Sequence, residues 1–234
     1  MITNKNYLPE AIALDGPAAS GKTTVGRMLA DRLGYLFLDT GCMYRTVTLA
    51  AINSGISIDD EDTVVRLTGS LDIDIKPPTQ EGDGRAYTVL LNRQDVTWDI
   101  RSAEVDKNVS QVSSYKGVRQ NLVERQRLMA NRRQVVMVGR DIGTVVLPDA
   151  PLKLYIVASA EERAMRRWHE QKARDEGAGY EQILAELIRR DRIDGNRKHS
   201  PMRPAGDAII IDTSGRSPEE IIQEIMLLEV LQPA

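Results

Sequence analysis

The sequence predicts an α/β fold with a doubly wound parallel sheet of about five strands. Short, mostly continuous apolar runs recur along the chain, as in strands that are buried on both faces. Between these runs, apolar residues recur at helical spacing. Such alternation is typical of a doubly wound core, and the chain's 234 residues suffice for one domain of this kind with small insertions.

Five apolar runs are the candidate strands of this sheet. Their residues are largely β-branched or aliphatic, which suits a pleated and buried segment. We expect every run except the second to be buried on both faces. In chain order the runs cover residues 11–14, 35–38, 135–138, 152–157 and 208–211.

The helices are predicted from apolar spacing and from signals at their ends. Residues 25–33 carry a helical pattern after the first strand, and further patterns cover 44–53 and about 119–131. The last helix begins with a capping box between Ser217 and Glu220, and proline takes its first helical position.

Two segments depart from this rhythm. Residues 71–100 hold an alternating stretch at 72–75 and a second strand at 86–91, which indicate a small β insertion. Residues 161–200 are highly charged and helical. Each could be a flap over a site, and surface elaboration is the alternative. The predicted division is a core of residues 1–70, 101–160 and 201–234 with insertions at 71–100 and 161–200.

A phosphate-binding loop follows the first strand. Residues 16–23 read Gly-Pro-Ala-Ala-Ser-Gly-Lys-Thr and match the pattern Gly-x-x-x-x-Gly-Lys-Ser/Thr between a strand and a helix. Gly16 and Gly21 let the backbone curl around a phosphate, Lys22 adds a positive charge, and Thr23 offers a hydroxyl to Mg²⁺. We therefore predict a P-loop NTP hydrolase-type core, and the alternative is an ordinary turn with a surface lysine.

The composition argues against several classes of protein. The net charge is −3, and the chain has one Phe and two Trp, so a nucleic-acid binder is disfavoured. One cysteine permits no intrachain disulfide. No apolar run approaches the ~20 residues of a membrane span. We expect a cytoplasmic protein with neither a nucleic-acid nor a membrane partner.

Arginines follow the predicted strands, at the edge where α/β sites lie. Arg45 comes after run 35–38 and Arg140 after run 135–138, while Arg163 and Arg167 are four residues apart in the charged segment. Arginine binds phosphate with a fixed fork and keeps its charge. An acceptor that is itself a phosphate needs cations rather than a general base. The chain contains no Asn-Lys-x-Asp segment for guanine recognition, so a GTPase is disfavoured. A small-molecule kinase is therefore favoured.

Each arginine taken singly has an alternative interpretation that needs no phosphate. A solvated surface charge is the alternative for each of them, and we favour it for Arg166, Arg189 and the nearby Lys172. The alternative is weaker for Arg45 and Arg140, because both follow strands of the sheet.

From about residue 10 to residue 228, the chain resembles bacterial cytidylate kinases. Two stretches are specific: Leu38-Asp39-Thr40-Gly41-Cys42-Met43-Tyr44-Arg45 and Gly139-Arg140-Asp141-Ile142-Gly143-Thr144-Val145-Val146. Supporting motifs are Asp15-Gly16-Pro17, Asp95-Val96-Thr97 with Ile100-Arg101, and the charged stretch from Arg190 to Arg197.

The resemblance implies in-line phosphoryl transfer from ATP to CMP or dCMP by a protein with the nucleoside-monophosphate-kinase fold. Residues 71–100 would be the monophosphate-binding insertion and 161–200 the lid. Mg²⁺ would reach Thr23 through ATP, and we expect a monomer. The implied catalytic residues are Lys22, Arg140, Arg163 and Arg167. The implied ATP-binding residues are Gly16, Pro17, Ala18, Ala19, Ser20, Gly21, Lys22, Thr23 and Thr24.

The resemblance also implies a set of CMP-binding residues. Arg45, Arg140 and Arg197 would bind the phosphate. Arg190 and Asp194 would contact the ribose. Cytosine would be recognised by Ser110, Arg119 and Asp141, and the family's acceptor pocket is also lined by Thr40 and Tyr44.

Two of these roles leave alternatives open. Asp141 could instead orient Arg140 through a buried ion pair, and Ser110 could be an exposed helix serine. Cys42 is interpreted as a small buried filler, because no histidine lies nearby in the sequence to activate it.

Three other functions remain possible at this stage. The stretch from Gly21 to Arg27, with Asp39, also resembles shikimate kinase, but the chain is long for that family and contains no glycine triplet. A UMP kinase is a second alternative. The third is an RNA-associated module that uses the basic segment 163–198, against which the acidic balance weighs.

Overall fold

The structure is a computed structural model that describes residues 8–80, 82–131, 134–172 and 179–232. It confirms the predicted α/β fold. A five-stranded sheet has the order β2-β6-β1-β7-β8, and β1 pairs in parallel with both β6 and β7, as β7 does with β8. The strands of both sheets are β1 (Ala11–Asp15), β2 (Leu36–Asp39), β3 (Ile73–Lys76), β4 (Thr88–Leu91), β5 (Gln94–Asp95), β6 (Val135–Val138), β7 (Leu152–Val157) and β8 (Ile209–Asp212).

Helices alternate with these strands. The described α-helices are α1 (Lys22–Leu33), α2 (Gly41–Asn53), α3 (Glu61–Ser70), α4 (Ala103–Val112), α5 (Lys116–Ala130), α6 (Ala160–Lys172), α7 (Tyr180–Gly195) and α8 (Pro218–Met226). A single π-helical turn follows β6 at Ile142–Val146, and short 3₁₀ helices cover Asp99–Arg101 and Glu229–Leu231. No helix in the described part of the chain is long and apolar enough to cross a membrane.

Contacts divide the chain into two units. The first combines Met1–Phe37 with Ala130–Ala234. Its core lies where β1, β6 and β7 pack against α1 and α8, and Ile12, Leu154 and Ile222 are among its buried residues. The predicted capping box of α8 is present, with Ser217 and Glu220 bonded reciprocally.

The second unit is Leu38–Met129. It contains α2 to α5 and a three-stranded antiparallel sheet in the order β3-β4-β5. Arg85 ties this sheet together, because its buried guanidinium bonds Asp83 and Asp95 at 2.6 Å each. The sheet lies in the segment that the sequence set apart at 71–100, and α6 and α7 lie in the segment at 161–200. Their roles as insertion and lid stay predictions, and residues 173–178 are outside the described part.

Two expectations about the fold differ from the structure. Helices α3 and α4 were not predicted. In α3 only Val64 and Thr68 are buried, whereas α4 buries Val105, Val109, Ser110 and Val112, so its pattern was overlooked. The expectation that run 208–211 is buried on both faces is wrong, because β8 is the last strand of the sheet and the side chain of Ile210 is 52% exposed.

Close packing of α1 on the sheet requires glycine at position 26. A Cβ atom there would lie 2.6 Å from Val138 Cγ2 and 3.2 Å from Phe37 Cε2. We predict that Gly26→Ala lowers the free energy of unfolding by about 1–3 kcal/mol, because the rigid valine cannot move aside. Denaturant unfolding measures it. Gly195→Ala is the control, since a Cβ there meets nothing within 4 Å, and an equal loss in both variants would contradict the explanation.

Candidate active site

The P-loop leaves the carboxyl end of β1 under tight steric limits. At Gly16, φ is 147°, and a Cβ atom would lie 2.1 Å from the carbonyl oxygen of Ile156. At Gly21, φ is 86°, and this residue precedes α1. No described side chain caps α1, and its first turn contains no acidic residue. The helix N-terminus is therefore suited to an anion.

Two side chains of the P-loop face inward. Lys22 is buried, and its Nζ donates to the carbonyl of Pro17 at 2.6 Å across the loop. Ser20 is fully buried, and its hydroxyl oxygen has no hydrogen-bond partner among the described residues. An unsatisfied buried hydroxyl costs free energy unless a ligand completes it, so this loop is compatible with a bound phosphate.

Asp15 links the P-loop to the turn after β6. Its Oδ1 accepts the backbone N–H of Ile142 at 2.7 Å, and its Oδ2 accepts that of Gly143 at 2.8 Å. Burial raises the pKa of Asp15 to about 6, although these two N–H groups act in the opposite direction. In the sequence, Asp15 is recognisable only as part of a motif, since its partners are 127 and 128 residues away.

A buried carboxylate joins two of the predicted phosphate ligands. Asp194 is 2% exposed and accepts from Arg140 Nε at 3.1 Å through one oxygen and from Arg197 through the other. Burial alone would raise the pKa of Asp194, but the guanidinium groups of Arg140, Arg197 and Arg190 outweigh it and lower the pKa. Both oxygens of Asp194 are thus engaged by the arginines that it was predicted to accompany.

Arg163 connects the start of α6 with the P-loop. Its guanidinium donates to the carbonyls of Ala18 and Ala158 at 3.1 Å and to Asp191 at 2.6 Å. Ala18 also packs in an apolar cluster with residues of α6 and α7. Asp191 therefore holds Arg163 against the loop, while Arg167 pairs with Glu170 and is more exposed.

The prediction for Arg166 is wrong. Instead of pointing into solvent, its guanidinium donates to the hydroxyl and the carbonyl of Thr213 at 3.0 and 2.6 Å and pairs with Glu162. The Thr213 hydroxyl in turn donates to Ser20 O at 3.0 Å. Arg166 thus braces the loop after β8 against the P-loop. Arg189 is half exposed and bonds Glu186, so it is the surface charge that was predicted.

In the second unit, Arg45 is held by an acidic partner. Arg45 donates to Asp106 Oδ1 at 2.5 Å and to the carbonyl of Ile100 at 3.0 Å. It projects from α2, which begins where Asp39 Oδ1 accepts the N–H of Gly41. Asp106, on α4, was not among the predicted residues.

Three predicted residues of the second unit lie on neighbouring helices. The guanidinium of Arg119 stacks over the ring of Tyr44 at 5.3 Å and donates to Ser113 O at 3.1 Å. Ser113 Oγ in turn donates to Ser110 O. Ser110 is 2% exposed, and its hydroxyl has no partner among the described residues. The alternative of an exposed helix serine is therefore wrong.

The predicted residues divide between the two units. Arg140, Arg190, Asp194 and Arg197 belong to the first, where one charge network joins them, and Asp141 is buried in the same unit. Thr40, Tyr44, Arg45, Ser110 and Arg119 belong to the second, where Thr40 is buried beside the start of α2. Cys42 is buried as expected, and burial raises the pKa of its thiol well above its ordinary value.

Two of the carboxylates that hold the arginines were missed, although Asp194 was predicted. A search for phosphate-binding cations selects Arg45 and Arg163 but gives no reason to select Asp106 or Asp191. Asp106 had no separate signal in the sequence, whereas Asp191 lies on α7 about one turn before Asp194 and within the motif stretch from Arg190 to Arg197.

Comparison with known proteins covers almost the whole chain. A cytidylate kinase from Chloroflexus aggregans is 48% identical over 219 residues, which cover 94% of this chain and 93% of that protein. A cytidylate kinase from Herpetosiphon aurantiacus is 47% identical over 218 residues, covering 93% of both chains. A solved shikimate kinase from Acinetobacter baumannii is 21% identical, covers 95% of this chain and 93% of its own, and gives a TM-score of 0.45.

The TM-score to the shikimate kinase is too low to bear on the choice between the two kinases. The family model for cytidylate kinase matches residues 12–230. This span includes the P-loop, Asp194 with its arginines, and Arg119 with Tyr44 and Ser110. The chain belongs to the cytidylate kinase family.

Proposed function

We propose that the protein transfers the γ-phosphoryl group of ATP to the phosphate of CMP or dCMP. The observation that carries this proposal is the pair of arginines, Arg140 and Arg197, held on one buried carboxylate in the unit that contains the P-loop. Two fixed cations suit a doubly charged phosphate monoester. Membership of the cytidylate kinase family supports CMP as the acceptor.

The P-loop is proposed to bind the phosphates of ATP. Backbone N–H groups of residues 16–24 and the N-terminus of α1 would surround them, with Lys22 as a point charge on the transferred group. The buried Ser20 hydroxyl supports this, because it has no partner among the described residues.

Magnesium is proposed to enter with ATP. Thr23, in the first turn of α1, would hold the ion together with the nucleotide phosphates, and the ion would supply charge neutralisation there. No group of three or more His, Cys, Asp or Glu side chains in the described part could hold a metal ion. Mg²⁺ usually keeps several waters and is held mainly through substrate phosphates, so it needs few protein ligands.

No general base is needed at the acceptor. A phosphate monoester has its second pKa at about 6, so the attacking oxygen of CMP is ionised at neutral pH. The remaining task is to hold two anions close together, for which Arg45, Arg140 and Arg197 are proposed on the acceptor and Arg163 and Arg167 on the transferred group.

Cytosine is proposed to be recognised by polar groups that are already buried. The Ser110 hydroxyl and the Asp141 carboxylate can accept hydrogen bonds from the amino group, and Arg119 can donate to the ring. Uracil places a carbonyl where cytosine has its amine, so the Asp141 carboxylate would face another acceptor. The proposed ribose contacts are Arg190 and Asp194, and Thr40 and Tyr44 complete the acceptor residues.

The remaining assignments complete the proposal. Residues 71–100 are proposed to help bind the monophosphate and 161–200 to act as a lid, which the contact of Arg163 with the P-loop carbonyl of Ala18 supports. We propose a cytoplasmic monomer whose substrates are ATP and CMP or dCMP.

The test of this function is ADP release with CMP, dCMP, UMP, AMP, dTMP and shikimate as parallel acceptors. We expect CMP and dCMP to give the highest kcat/KM. Faster turnover of shikimate would instead support the shikimate kinase alternative, and faster turnover of UMP would support a UMP kinase.

Removal of the P-loop lysine should affect turnover more than binding. We predict that Lys22→Ala lowers kcat about 10²–10³-fold, because a charge directed at the transferred group is lost, while KM for CMP stays within about threefold. Steady-state kinetics measure both constants. Lys116→Ala, on the exposed start of α5, is the control, and normal turnover of the Lys22 variant would refute its catalytic role.

Ser110 should affect the choice of base without supporting the fold. Ser110→Ala is predicted to reduce the CMP-over-UMP ratio of kcat/KM by about fivefold, since the lost hydrogen bond to the cytosine amine is worth about 1 kcal/mol. Thermal stability should not fall, because the hydroxyl has no partner among the described residues. The matched control is Ser114→Ala, whose more exposed hydroxyl bonds Gln111 O. An unchanged ratio for Ser110→Ala would exclude Ser110 from base recognition.

A further inference from the structure

Asp15 occupies the junction of two segments that carry the proposed chemistry. It is the last residue of β1, directly before Gly16, and its two oxygens bind the N–H groups of Ile142 and Gly143. Those two residues follow Arg140 and Asp141 without a gap. We propose that Asp15 is a positioning residue that holds the Arg140–Asp141 turn in place against the P-loop for phosphoryl transfer. This inference rests on the proposed function.

The need for a carboxylate follows from the backbone of the turn. Ile142 and Gly143 open the π-helical turn, so their N–H groups lie at its free end, where a helix offers no partners of its own. Such single turns are frequent at functional sites. Both oxygens of a carboxylate accept hydrogen bonds, whereas an amide has only one acceptor oxygen. Asn at this position would direct an N–H group at an N–H group.

The two segments are fixed on both sides of this contact. The N–H of Gly139 donates to the carbonyl of Leu14 at 2.9 Å, which continues the pairing of β1 with β6. A Cβ atom on Gly143 would lie 3.1 Å from Lys153 Cδ and 3.5 Å from Asp15 Oδ2, so the turn packs closely against β7. If the Asp15 hydrogen bonds were lost, the backbone between Gly139 and Gly143 could shift, because only its two ends would remain held.

The groups around Asp15 do not make its ionised carboxylate a source of folding stability. Lys22 on α1 is the cation that favours its ionised form, and Asp141 after β6 opposes it. On β7, the pKa of Tyr155 is raised mainly by burial and further by Asp15, and Lys153 instead pairs with Asp207 at 2.7 Å. The net result is a pKa of about 6 caused chiefly by burial, so the ionised form costs stability at neutral pH. A costly buried charge is expected where function requires it.

The ionised form of Asp15 offers acceptors to both N–H groups, and protonation converts one of them into a donor. Asp15 is therefore expected to hold the turn above about pH 6 and to hold it less well below. The second ionisation of CMP falls in the same range, so only a comparison with a variant that lacks the carboxylate isolates the contribution of Asp15.

The experiment compares wild type, Asp15→Asn and Asp207→Asn. The second variant removes a carboxylate that pairs with Lys153 and has no proposed role in the reaction. At pH 8, Asp15→Asn should lower kcat about 100-fold, as expected for a displacement of about 1 Å, with both KM values within about threefold of wild type. Asp207→Asn should match wild type. The kcat ratio of wild type to Asp15→Asn should shrink from pH 8 to pH 5.5, because protonation impairs only the former.

A second measurement does not need catalysis. In the substrate-free protein, the backbone amide resonances of Ile142 and Gly143 should titrate together with a midpoint near pH 6 in wild type and should not do so in Asp15→Asn. If Asp15→Asn does not fold, Gly143→Ala tests the same contact by displacing the turn while Asp15 remains. A 100-fold loss of kcat is also expected there.

Near-normal kcat in Asp15→Asn, or a kcat ratio that is constant with pH, would overturn the inference. Wild type that fails to phosphorylate CMP would refute the proposed function instead, and the amide titration would still report on Asp15.

Discussion

The arrangement of the site depends on the hydrogen bonding of β1 along both of its edges. β6 pairs with one edge and β7 with the other, both in parallel. Carboxyl ends of parallel strands meet at the same side of a sheet. For that reason the P-loop, the turn that carries Arg140 and the Ala158 carbonyl that accepts from Arg163 all lie at one side of the sheet. More than 110 residues of the chain separate the P-loop from that turn.

Charge in this protein is organised by carboxylates as much as by arginines. Asp194 holds Arg140 and Arg197, Asp191 holds Arg163, and Asp106 holds Arg45. A guanidinium held in one orientation loses less entropy when a phosphate arrives, and preorganised cations contribute more to phosphoryl transfer than mobile ones. The same carboxylates also lower the cost of keeping several like charges close together while the site is empty.

The sequence predicted the features that depend on neighbouring residues. The P-loop, the strands before and after it, and the capping box of α8 have short-range signals, and all of them are present. Helix α3 escaped notice because only Val64 and Thr68 are buried along it. The inward orientation of Arg166 could not be predicted, since its partner Thr213 comes from a loop after the last strand.

For the candidate site, the sequence predicted the arginines, Asp194 and the residues proposed to recognise the base, but not Asp106 and Asp191, which hold Arg45 and Arg163. Asp15 illustrates the reason. Its position before the P-loop is visible in the motif, while its function depends on two backbone groups whose location follows only from the order of strands in the sheet.

The exposed strand β8 has a consequence for self-association. Its outer edge is unpaired within the described sheet, and Ile209 and Ile210 are both exposed there, which is the type of edge that recruits a strand from another molecule. Asp207 and Asp212 flank the two isoleucines. If two copies paired antiparallel with Ile209 opposite Ile210, each Asp207 would face an Asp212. Like charges directly opposite are destabilising, so the flanking aspartates disfavour the register in which the two exposed isoleucines would pair with each other.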